Sequence, residues 1–265
     1  MDKRPIGVFD SGIGGLTVLY EILKQLPNED IIYFGDTARV PYGTRTVETI
    51  RRYSEQSSKF LLKNDIKALV VACNTVSAIA LEDLKGKLDI SVFGVIEPGS
   101  YAAVKATENR KIGIIGTPAT IKSGAYEKKI SFLMKDVNIK SKACPLFVPL
   151  VEEGWIDNEV ARLTAKEYLR EIFEFNVDTL VLGCTHYPAL MSVIEELSGK
   201  NVKLINPAYE TAVSVKNYLT DKDMLNEKKD AGKTEFYVSD NPDKFSKVGE
   251  WLLKKPIENV VKIDL

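Results

Sequence analysis

The sequence is poor in the residue types that mark several common classes of protein. Its 265 residues include one histidine and three cysteines with no Cys-x-x-Cys pair, so neither a structural zinc site nor a disulfide framework is expected. The 36 lysines and arginines nearly balance 37 aspartates and glutamates, which gives no electrostatic reason to expect a nucleic acid or a membrane surface as partner. No apolar run approaches the roughly 20 residues that cross a bilayer, and no signal-peptide pattern is present. We therefore expect a cytoplasmic protein with reduced thiols and a small-molecule or protein partner.

The glycine-rich segment 10–15 lacks the pattern of a nucleotide-binding loop. It has no P-loop lysine, and Thr17 stands where a dinucleotide-binding loop has its last glycine. Glycine permits the positive φ angles and the close backbone approach that a tight turn before a helix requires. Ser11 and the backbone N–H groups of this turn are suited to binding a substrate carboxylate.

Two apolar runs of strand length each end in a cysteine that is followed by polar residues. The first is segment 68–75 with Cys73, and the second is segment 179–186 with Cys184. Because ligands bind at the carboxyl ends of the strands of an open parallel sheet, both thiols are expected to face a site.

The two cysteine-containing runs belong to a longer internal repeat, in which three segments recur in the same order about 110 residues later. The matched segments are 6–11 with 112–117, 68–75 with 179–186, and 95–99 with 204–208. Apolar strands alternate with helix-length segments, which favours parallel βαβ units. We predict an α/β fold of two similar lobes, each with a mostly parallel sheet flanked by helices, related by a pseudo-twofold axis and with the active site in the cleft between them. The tail from about residue 209 has no counterpart and is expected to fold back onto the first lobe.

Two thiols at equivalent positions of two facing lobes are suited to inverting a stereocentre. One thiolate removes a proton from one face of a carbon, and the other thiol delivers a proton to the opposite face. We expect a helix to start beside Cys73 and beside Cys184 and to lower the pKa of each thiol. Asp10 and Asp36 are expected to assist one side, and His186 the other.

Other interpretations of these residues remain open at this point. Asp10 and Asp36 are also suited to capping turns. Cys144 has no counterpart and is expected in the core. Glu152 and Glu153 are typical of solvated surface when the pattern alone is considered. A two-lobed binding protein with incidental cysteines is a further alternative.

Eight motifs occur in order along the chain: FDSGIGG at 9–15, YFGDTA at 33–38, PYG at 41–43, ACNT at 72–75, GVIEP at 94–98, GTPAT at 116–120, PLVEEG at 149–154 and LGCTHYP at 182–188. Together they resemble the bacterial glutamate racemases of the aspartate/glutamate racemase superfamily. The resemblance runs from about residue 6 to residue 207.

The resemblance implies that L- and D-glutamate are interconverted without pyridoxal phosphate, metal or nucleotide, that D-glutamate is supplied for peptidoglycan, and that the enzyme is a cytoplasmic homodimer. Cys73 and Cys184 are implied as the paired acid/base groups. The implied substrate-contacting residues are Asp10, Ser11, Pro41, Tyr42, Gly43, Asn74, Thr75, Thr117 and Thr185. The residues implied to assist the thiols are Asp10, Asp36, Glu152 and His186, with the choice between Glu152 and Glu153 left open.

The resemblance also implies a domain division. The first lobe is expected to comprise 1–97 plus 208–265, and the second 98–207, with Pro98 and Pro207 stiffening two parallel linkers between them. The pattern leaves open whether aspartate is also a substrate, and whether the protein has a second role in regulating another enzyme.

Overall fold

The computed structural model describes all 265 residues, which form strands and helices in near-regular alternation. The strands are β1 (Ile6–Asp10), β2 (Ile31–Gly35), β3 (Ala68–Val71), β4 (Ser91–Gly94), β5 (Lys111–Gly116), β6 (Asn138–Ala143), β7 (Thr179–Gly183), β8 (Lys203–Ile205), β9 (Thr234–Val238) and β10 (Val261–Lys262). The helices are α1 (Leu16–Gln25), α2 (Val47–Leu62), α3 (Asn74–Ile79), α4 (Leu81–Lys87), α5 (Ile96–Ala106), α6 (Pro118–Ser123), α7 (Ala125–Leu133), α8 (Phe147–Glu152), α9 (Glu159–Glu174), α10 (Met191–Ser198), α11 (Pro207–Asp221) and α12 (Pro242–Leu253).

The strands form two sheets in which every pairing is parallel. The first sheet has the order β10-β9-β2-β1-β3-β4, and the second has the order β6-β5-β7-β8. The run β2-β1-β3-β4 corresponds to β6-β5-β7-β8, so the repeated segments occupy equivalent places in the two sheets. The α/β prediction with two parallel sheets is therefore confirmed. The unrepeated tail supplies β9 and β10 to the first sheet, as expected.

Each sheet is covered by helices on both faces, because its central strands are apolar and buried on both sides. One core lies between the first sheet and α1, α11 and α12, and a second lies between the opposite face of that sheet and α2, α3 and α4. The second sheet is enclosed in the same way by α8, α9 and α10 on one face and by α5 and α7 on the other. This leaves the carboxyl ends of the strands as the open edge of each sheet.

The chain passes from the first sheet to the second through α5 and returns through α11. Pro98 and Pro207 lie in the first turns of these helices, so the prediction that they stiffen linkers is wrong. Proline is accepted in a first turn because its missing N–H would have no partner there in any case. We propose the same two lobes as above, with their boundaries inside the first turns of α5 and α11.

Between β3 and β4 the chain forms two short helices, α3 and α4, which meet at Ala80. No helix of the chain combines the length and the apolar character needed to cross a bilayer.

Candidate active site

Cys73 and Cys184 open onto the same cavity at the carboxyl ends of the two sheets. Cys73 follows β3 by two residues, and Cys184 follows β7 directly. The cavity has a volume of about 20 Å³. Its lining residues are Ser11, Val40, Pro41, Tyr42, Gly43, Cys73, Asn74, Thr75, Thr117, Val148, Cys184, Thr185 and His186. A larger cleft of about 540 Å³ lies between α2, α3 and α6, but no cysteine or histidine lines it.

The structure brings together eleven of the residues that the sequence predicted for the site. Only Val40 and Val148 line the cavity without having been predicted. Both are apolar residues beside polar motifs, and no pattern in the sequence distinguishes them from ordinary core residues. Glu152 and Asp10 lie behind the wall of the cavity, in contact with residues that line it.

The Cys73 thiol is held at the start of α3 and is almost completely buried. Its Sγ donates a hydrogen bond to Ser11 Oγ at 3.3 Å. Burial raises the pKa of Cys73 to about 12, and the negative charge of Asp10 adds to this effect. The prediction that the helix lowers the pKa of this thiol is wrong, because burial and a neighbouring carboxylate outweigh a helix of only six residues.

Asp10 is the last residue of β1 and is completely buried. Its Oδ2 accepts a hydrogen bond from the Gly12 N–H at 3.0 Å, and the Thr185 hydroxyl donates to its Oδ1 at 3.5 Å from the second lobe. Burial raises the pKa of Asp10, and the nearby charge of His186 opposes this effect. Asp10 therefore lies near Cys73, whose pKa its charge affects, and near Thr185, the residue that follows Cys184.

The glycines of the turn at 10–15 are required for close packing and not for unusual backbone angles. None of them has a positive φ, so that part of the prediction is wrong. A Cβ on Gly14 would lie 2.5 Å from both His186 Nδ1 and Thr185 Oγ1, and one on Gly15 would lie 2.4 Å from Asp10 Cβ. The expected close backbone approach is confirmed, and at Gly14 it is an approach between the two lobes.

On the Cys184 side of the site, three side chains lie in a row: Cys184, His186 and Glu152. Cys184 Sγ lies 3.9 Å from His186 Nδ1, and His186 Nε2 lies 3.3 Å from Glu152 Oε1. Burial opposes the charged imidazolium, but the interactions with Cys184 and Glu152 are stronger and raise the pKa of His186 to about 10. Burial acts against the charge of Glu152 as well, yet its interactions with His186 and Lys244 hold its pKa below the ordinary value.

No α-helix begins directly after Cys184, contrary to the sequence prediction. A turn leads instead to a short 3₁₀ helix, Tyr187–Leu190, and His186 occupies the position just before it. Pro188 lies in the first turn of that helix, where a residue without an N–H is accepted. The group beside the Cys184 thiol is thus the His186 imidazole and not a helix end.

The two adjacent glutamates differ clearly in their surroundings. The side chain of Glu152 is 16% exposed and faces His186, whereas that of Glu153 is 68% exposed and approaches Lys244 Nζ at 3.4 Å. The structure therefore answers the question that the sequence left open, in favour of Glu152.

Asp36 is buried but does not reach either thiol. Its Oδ1 accepts a hydrogen bond from Ser239 Oγ at 2.7 Å, and its Oδ2 accepts from Arg39 Nε at 2.6 Å and from the Tyr42 hydroxyl. The expectation that it assists Cys73 directly finds no contact in the structure. Asp36 holds the Tyr42 side chain, which forms part of the cavity wall.

Polar side chains of the two lobes also meet at the edge of the cavity. The Thr75 hydroxyl lies 2.9 Å from that of Thr117 and 3.3 Å from that of Thr120. The Tyr126 hydroxyl donates to Asn74 Oδ1 at 2.7 Å. Thr120 and Tyr126 were not predicted, since the first-lobe residues that they contact, Thr75 and Asn74, are 45 and 52 positions away in sequence.

Comparisons with known proteins agree with this geometry. A family model described as Asp/Glu/Hydantoin racemase matches residues 6–215. A glutamate racemase of Geobacter metallireducens is 53% identical over 265 residues, covering 100% of this chain and 98% of that protein. One of Thermoanaerobacter pseudethanolicus is 49% identical, covering 100% of this chain and 99% of that protein.

Solved structures give the same result for the fold. Glutamate racemase from Francisella tularensis in complex with D-glutamate superposes with a TM-score of 0.93 at 41% identity, covering 100% of this chain and 98% of that chain. A glutamate racemase isoform from Bacillus anthracis superposes with a TM-score of 0.96 at 41% identity, covering 100% of this chain and 99% of that chain. The chain belongs to the Asp/Glu/Hydantoin racemase family.

Proposed function

We propose that this protein interconverts L- and D-glutamate by a two-base mechanism that uses Cys73 and Cys184. The observation that carries this proposal is that both thiols, placed after equivalent strands of two sheets, open onto one cavity. The identity with glutamate racemases over the whole chain and the likeness to a structure with bound D-glutamate support glutamate as the substrate.

In the proposed reaction, one cysteine is a thiolate and the other a thiol. The thiolate takes the proton from Cα on one face, which leaves a carbanion stabilised by the adjacent carboxylate. The opposite thiol then gives its proton to the other face, so the configuration is inverted and the two cysteines have exchanged roles. The two proton transfers use only these two groups, and the reverse reaction follows the same path.

The raised pKa of Cys73 makes its thiolate a strong base that is scarce at neutral pH. The substrate changes this balance, because its α-ammonium group brings a positive charge beside the thiolate, and a nearby opposite charge favours the ionised form. We propose that Asp10 supports the Cys73 side and that the Glu152–His186 pair supports the Cys184 side. His186, held as an imidazolium, stabilises the Cys184 thiolate when that thiolate forms.

Polar residues around the cavity are suited to binding the two substrate carboxylates. We propose that Ser11, Asn74, Thr75, Thr117 and Thr185 donate hydrogen bonds to them, and that Tyr42 and Gly43 complete the binding surface. Such fixed donors also stabilise charge that develops in the transition state.

A cavity of about 20 Å³ holds about one water molecule, so the lobes must move apart to admit an amino acid. Closure around the substrate then excludes water from the carbanion. In line with the family resemblance, we further propose a cytoplasmic homodimer that supplies D-glutamate for peptidoglycan.

The substrate is tested by circular dichroism of purified protein with L-glutamate or L-aspartate and no added cofactor. The glutamate signal is expected to fall to zero as the racemate forms, while the aspartate signal stays constant. Loss of the aspartate signal alone would show that the substrate is wrong.

The two-base mechanism is tested by replacing each thiol separately. Cys73→Ser and Cys184→Ser are each expected to lower the racemisation rate by about 100- to 10,000-fold, because each removes one of two essential acid/base groups. Each variant should still eliminate a leaving group from a suitably substituted glutamate of one configuration, since elimination needs one base. Cys144→Ser is the control: this cysteine is buried outside the cavity, where its Sγ donates to the Lys142 carbonyl at 3.7 Å. Full racemisation by either of the first two variants would contradict the mechanism.

A further inference from the structure

Tyr126 of the second lobe forms a hydrogen bond with Asn74 of the first lobe at the edge of the cavity. It lies in the first turn of α7, and its hydroxyl donates to Oδ1 of Asn74, the first residue of α3, at 2.7 Å. Tyr126 is 1% exposed and Asn74 is 4% exposed. This hydrogen bond therefore forms away from bulk water, between two residues that are 52 positions apart in sequence.

The phenol proton of Tyr126 fixes which end of the Asn74 amide faces it. Burial raises the pKa of Tyr126, so its hydroxyl keeps its proton. A buried donor without an acceptor costs free energy, and the only acceptor bonded to this hydroxyl is Asn74 Oδ1. If the amide were rotated by half a turn, its NH₂ group would face the hydroxyl and the phenol proton would have no acceptor.

The other end of the amide is thereby left for the cavity. Asn74 lines the cavity, and its Nδ2 makes no hydrogen bond within the protein. Nδ2 is also absent from the small group of fully buried polar atoms that have no partner, which fits a position at the cavity surface. The two N–H groups of the amide are the donors that a carboxylate requires.

The Tyr126 ring is held in place by two glycines. A Cβ on Gly183 would lie 3.2 Å from Tyr126 Cε2, and one on Gly99 would lie 3.3 Å from Tyr126 Cε1. The ring is thus packed between β7 and α5. The position of the hydroxyl is accordingly set by the core of the second lobe and not by a mobile surface chain.

We propose that Tyr126 is a positioning residue that orients the Asn74 amide so that its N–H groups face a carboxylate of the substrate. This role rests on the proposed function, and it goes beyond it by naming a residue that acts through another. An amide turned the other way would present its oxygen to a carboxylate and repel it. Because the two residues belong to different lobes, the amide is held in its binding orientation only when the lobes are together.

The first test is the Tyr126→Phe variant, which keeps the ring and removes the hydrogen bond. We expect KM for L- and D-glutamate to rise about 2- to 10-fold, the range that corresponds to one hydrogen bond, with kcat changed by less than about twofold. Tyr187→Phe is the matched control. Tyr187 is equally buried in the same lobe, and its hydroxyl donates to the Cys144 carbonyl at 2.8 Å, outside the cavity. An unchanged KM in Tyr126→Phe, or an equal rise in the control, would overturn the proposal.

The second test separates orientation of Asn74 from a general structural effect. If Tyr126 acts through Asn74, then Tyr126→Phe should not raise KM further in an Asn74→Ala background. A rise of the same size in both backgrounds would show that Tyr126 acts independently of Asn74, and the proposal would fail.

A third comparison can be made even if Tyr126→Phe does not fold, because it uses only variants of Asn74. Asn74→Asp keeps an acceptor for the Tyr126 hydroxyl but turns a carboxylate oxygen toward the substrate, so it should raise KM more than Asn74→Ala does. If Asn74→Asp raises KM no more than Asn74→Ala, the cavity side does not need a donor and the proposal is wrong.

Failure of this proposal can be distinguished from failure of the proposed function. A wild-type protein that does not racemise glutamate would overturn both. An active wild type with an unaffected Tyr126→Phe variant would overturn only the role of Tyr126.

Discussion

Replacing Glu152 by glutamine keeps the shape of the side chain and removes one charge from the Cys184 side of the site. In the native protein, Glu152 Oε1 lies 3.3 Å from His186 Nε2, and His186 Nδ1 lies 3.9 Å from the Cys184 sulfur. The pKa of His186 is raised to about 10 although burial alone would lower it. The variant therefore tests whether a charged imidazole is needed for catalysis.

The size of the effect follows from the distance between the charges. At an effective dielectric constant of about 20, two unit charges 3.3 Å apart attract by about 5 kcal/mol, which corresponds to between 3 and 4 pH units. Solvent at the carboxylate, which is 16% exposed, and the neighbouring Lys244 weaken this attraction by about half. We expect the pKa of His186 in Glu152→Gln to fall by about 2 pH units, from about 10 toward its ordinary value of 6.5.

The sign of the pH effect is determined by which form of His186 is active. If the imidazolium supports the Cys184 thiolate, kcat is retained below the pKa of His186 and is lost as the pH rises through it. The basic limb of the kcat profile should therefore move from about pH 10 to about pH 8 in the variant. Wild type and variant should differ little at pH 7 and by about tenfold at pH 9.

The assay is the initial rate of racemisation by circular dichroism between pH 6 and pH 10, started from each enantiomer. Because the equilibrium constant of a racemisation is one, kcat/KM must change equally in both directions, and any asymmetry appears in kcat and KM separately. Glu153→Gln is the matched control, since this neighbouring carboxylate is exposed and does not face His186. A variant profile that coincides with that of the wild type, or an equal shift in the control, would refute the reasoning.

Three further predictions concern close packing, stability and proton exchange. Gly14→Ala places a Cβ 2.5 Å from His186 Nδ1 and Thr185 Oγ1, so these side chains must shift. We expect about a 100-fold loss of kcat/KM with an unchanged far-UV circular dichroism spectrum. Retained activity would contradict this contact. Lys67→Met breaks a completely buried ion pair with Glu29 (2.6 Å) and should cost about 3–5 kcal/mol in urea unfolding, whereas adding Glu29→Leu should restore part of this loss. A double variant that is less stable than the single one would show that the pair is not the cause. In deuterated water, the product enantiomer should gain deuterium at Cα while the remaining substrate gains little, which mass spectrometry of separated enantiomers measures; equal labelling of both would contradict two distinct bases.

The local sequence pattern was sufficient to predict the buried strands that lead to the site. Apolar runs of four to six residues that end in Cys73 or Cys184 become fully buried parallel strands followed by the site. These predictions succeed because burial of a strand on both faces requires a continuous apolar run, which is visible in the sequence itself. The pattern failed for the helix predicted beside Cys184, where a 3₁₀ helix forms instead. It also failed at Pro98 and Pro207, since proline is accepted both in a linker and in the first turn of a helix.

Eleven of the thirteen residues that line the cavity could be predicted, but several of their surroundings could not. The raised pKa of Cys73 depends on complete burial and on the charge of Asp10, which the helix beside it does not reveal. Asp10 ends β1 and Asp36 directly follows β2, yet Asp36 is bonded to Arg39 and Tyr42 and does not contact a thiol. Two aspartates in similar sequence contexts therefore have different environments.

The sequence by itself determined the two parallel sheets, the repeat of their segments along the chain and the position of one cysteine at the open edge of each. Only the tertiary structure decided that Glu152 and not Glu153 faces His186, and that Tyr126 holds the amide of Asn74. The physical reason is the range of the interactions involved. Backbone geometry and the burial of alternate or continuous apolar faces act between near neighbours in the chain, whereas charge pairs and hydrogen bonds across the cleft depend on how the second sheet is placed against the first.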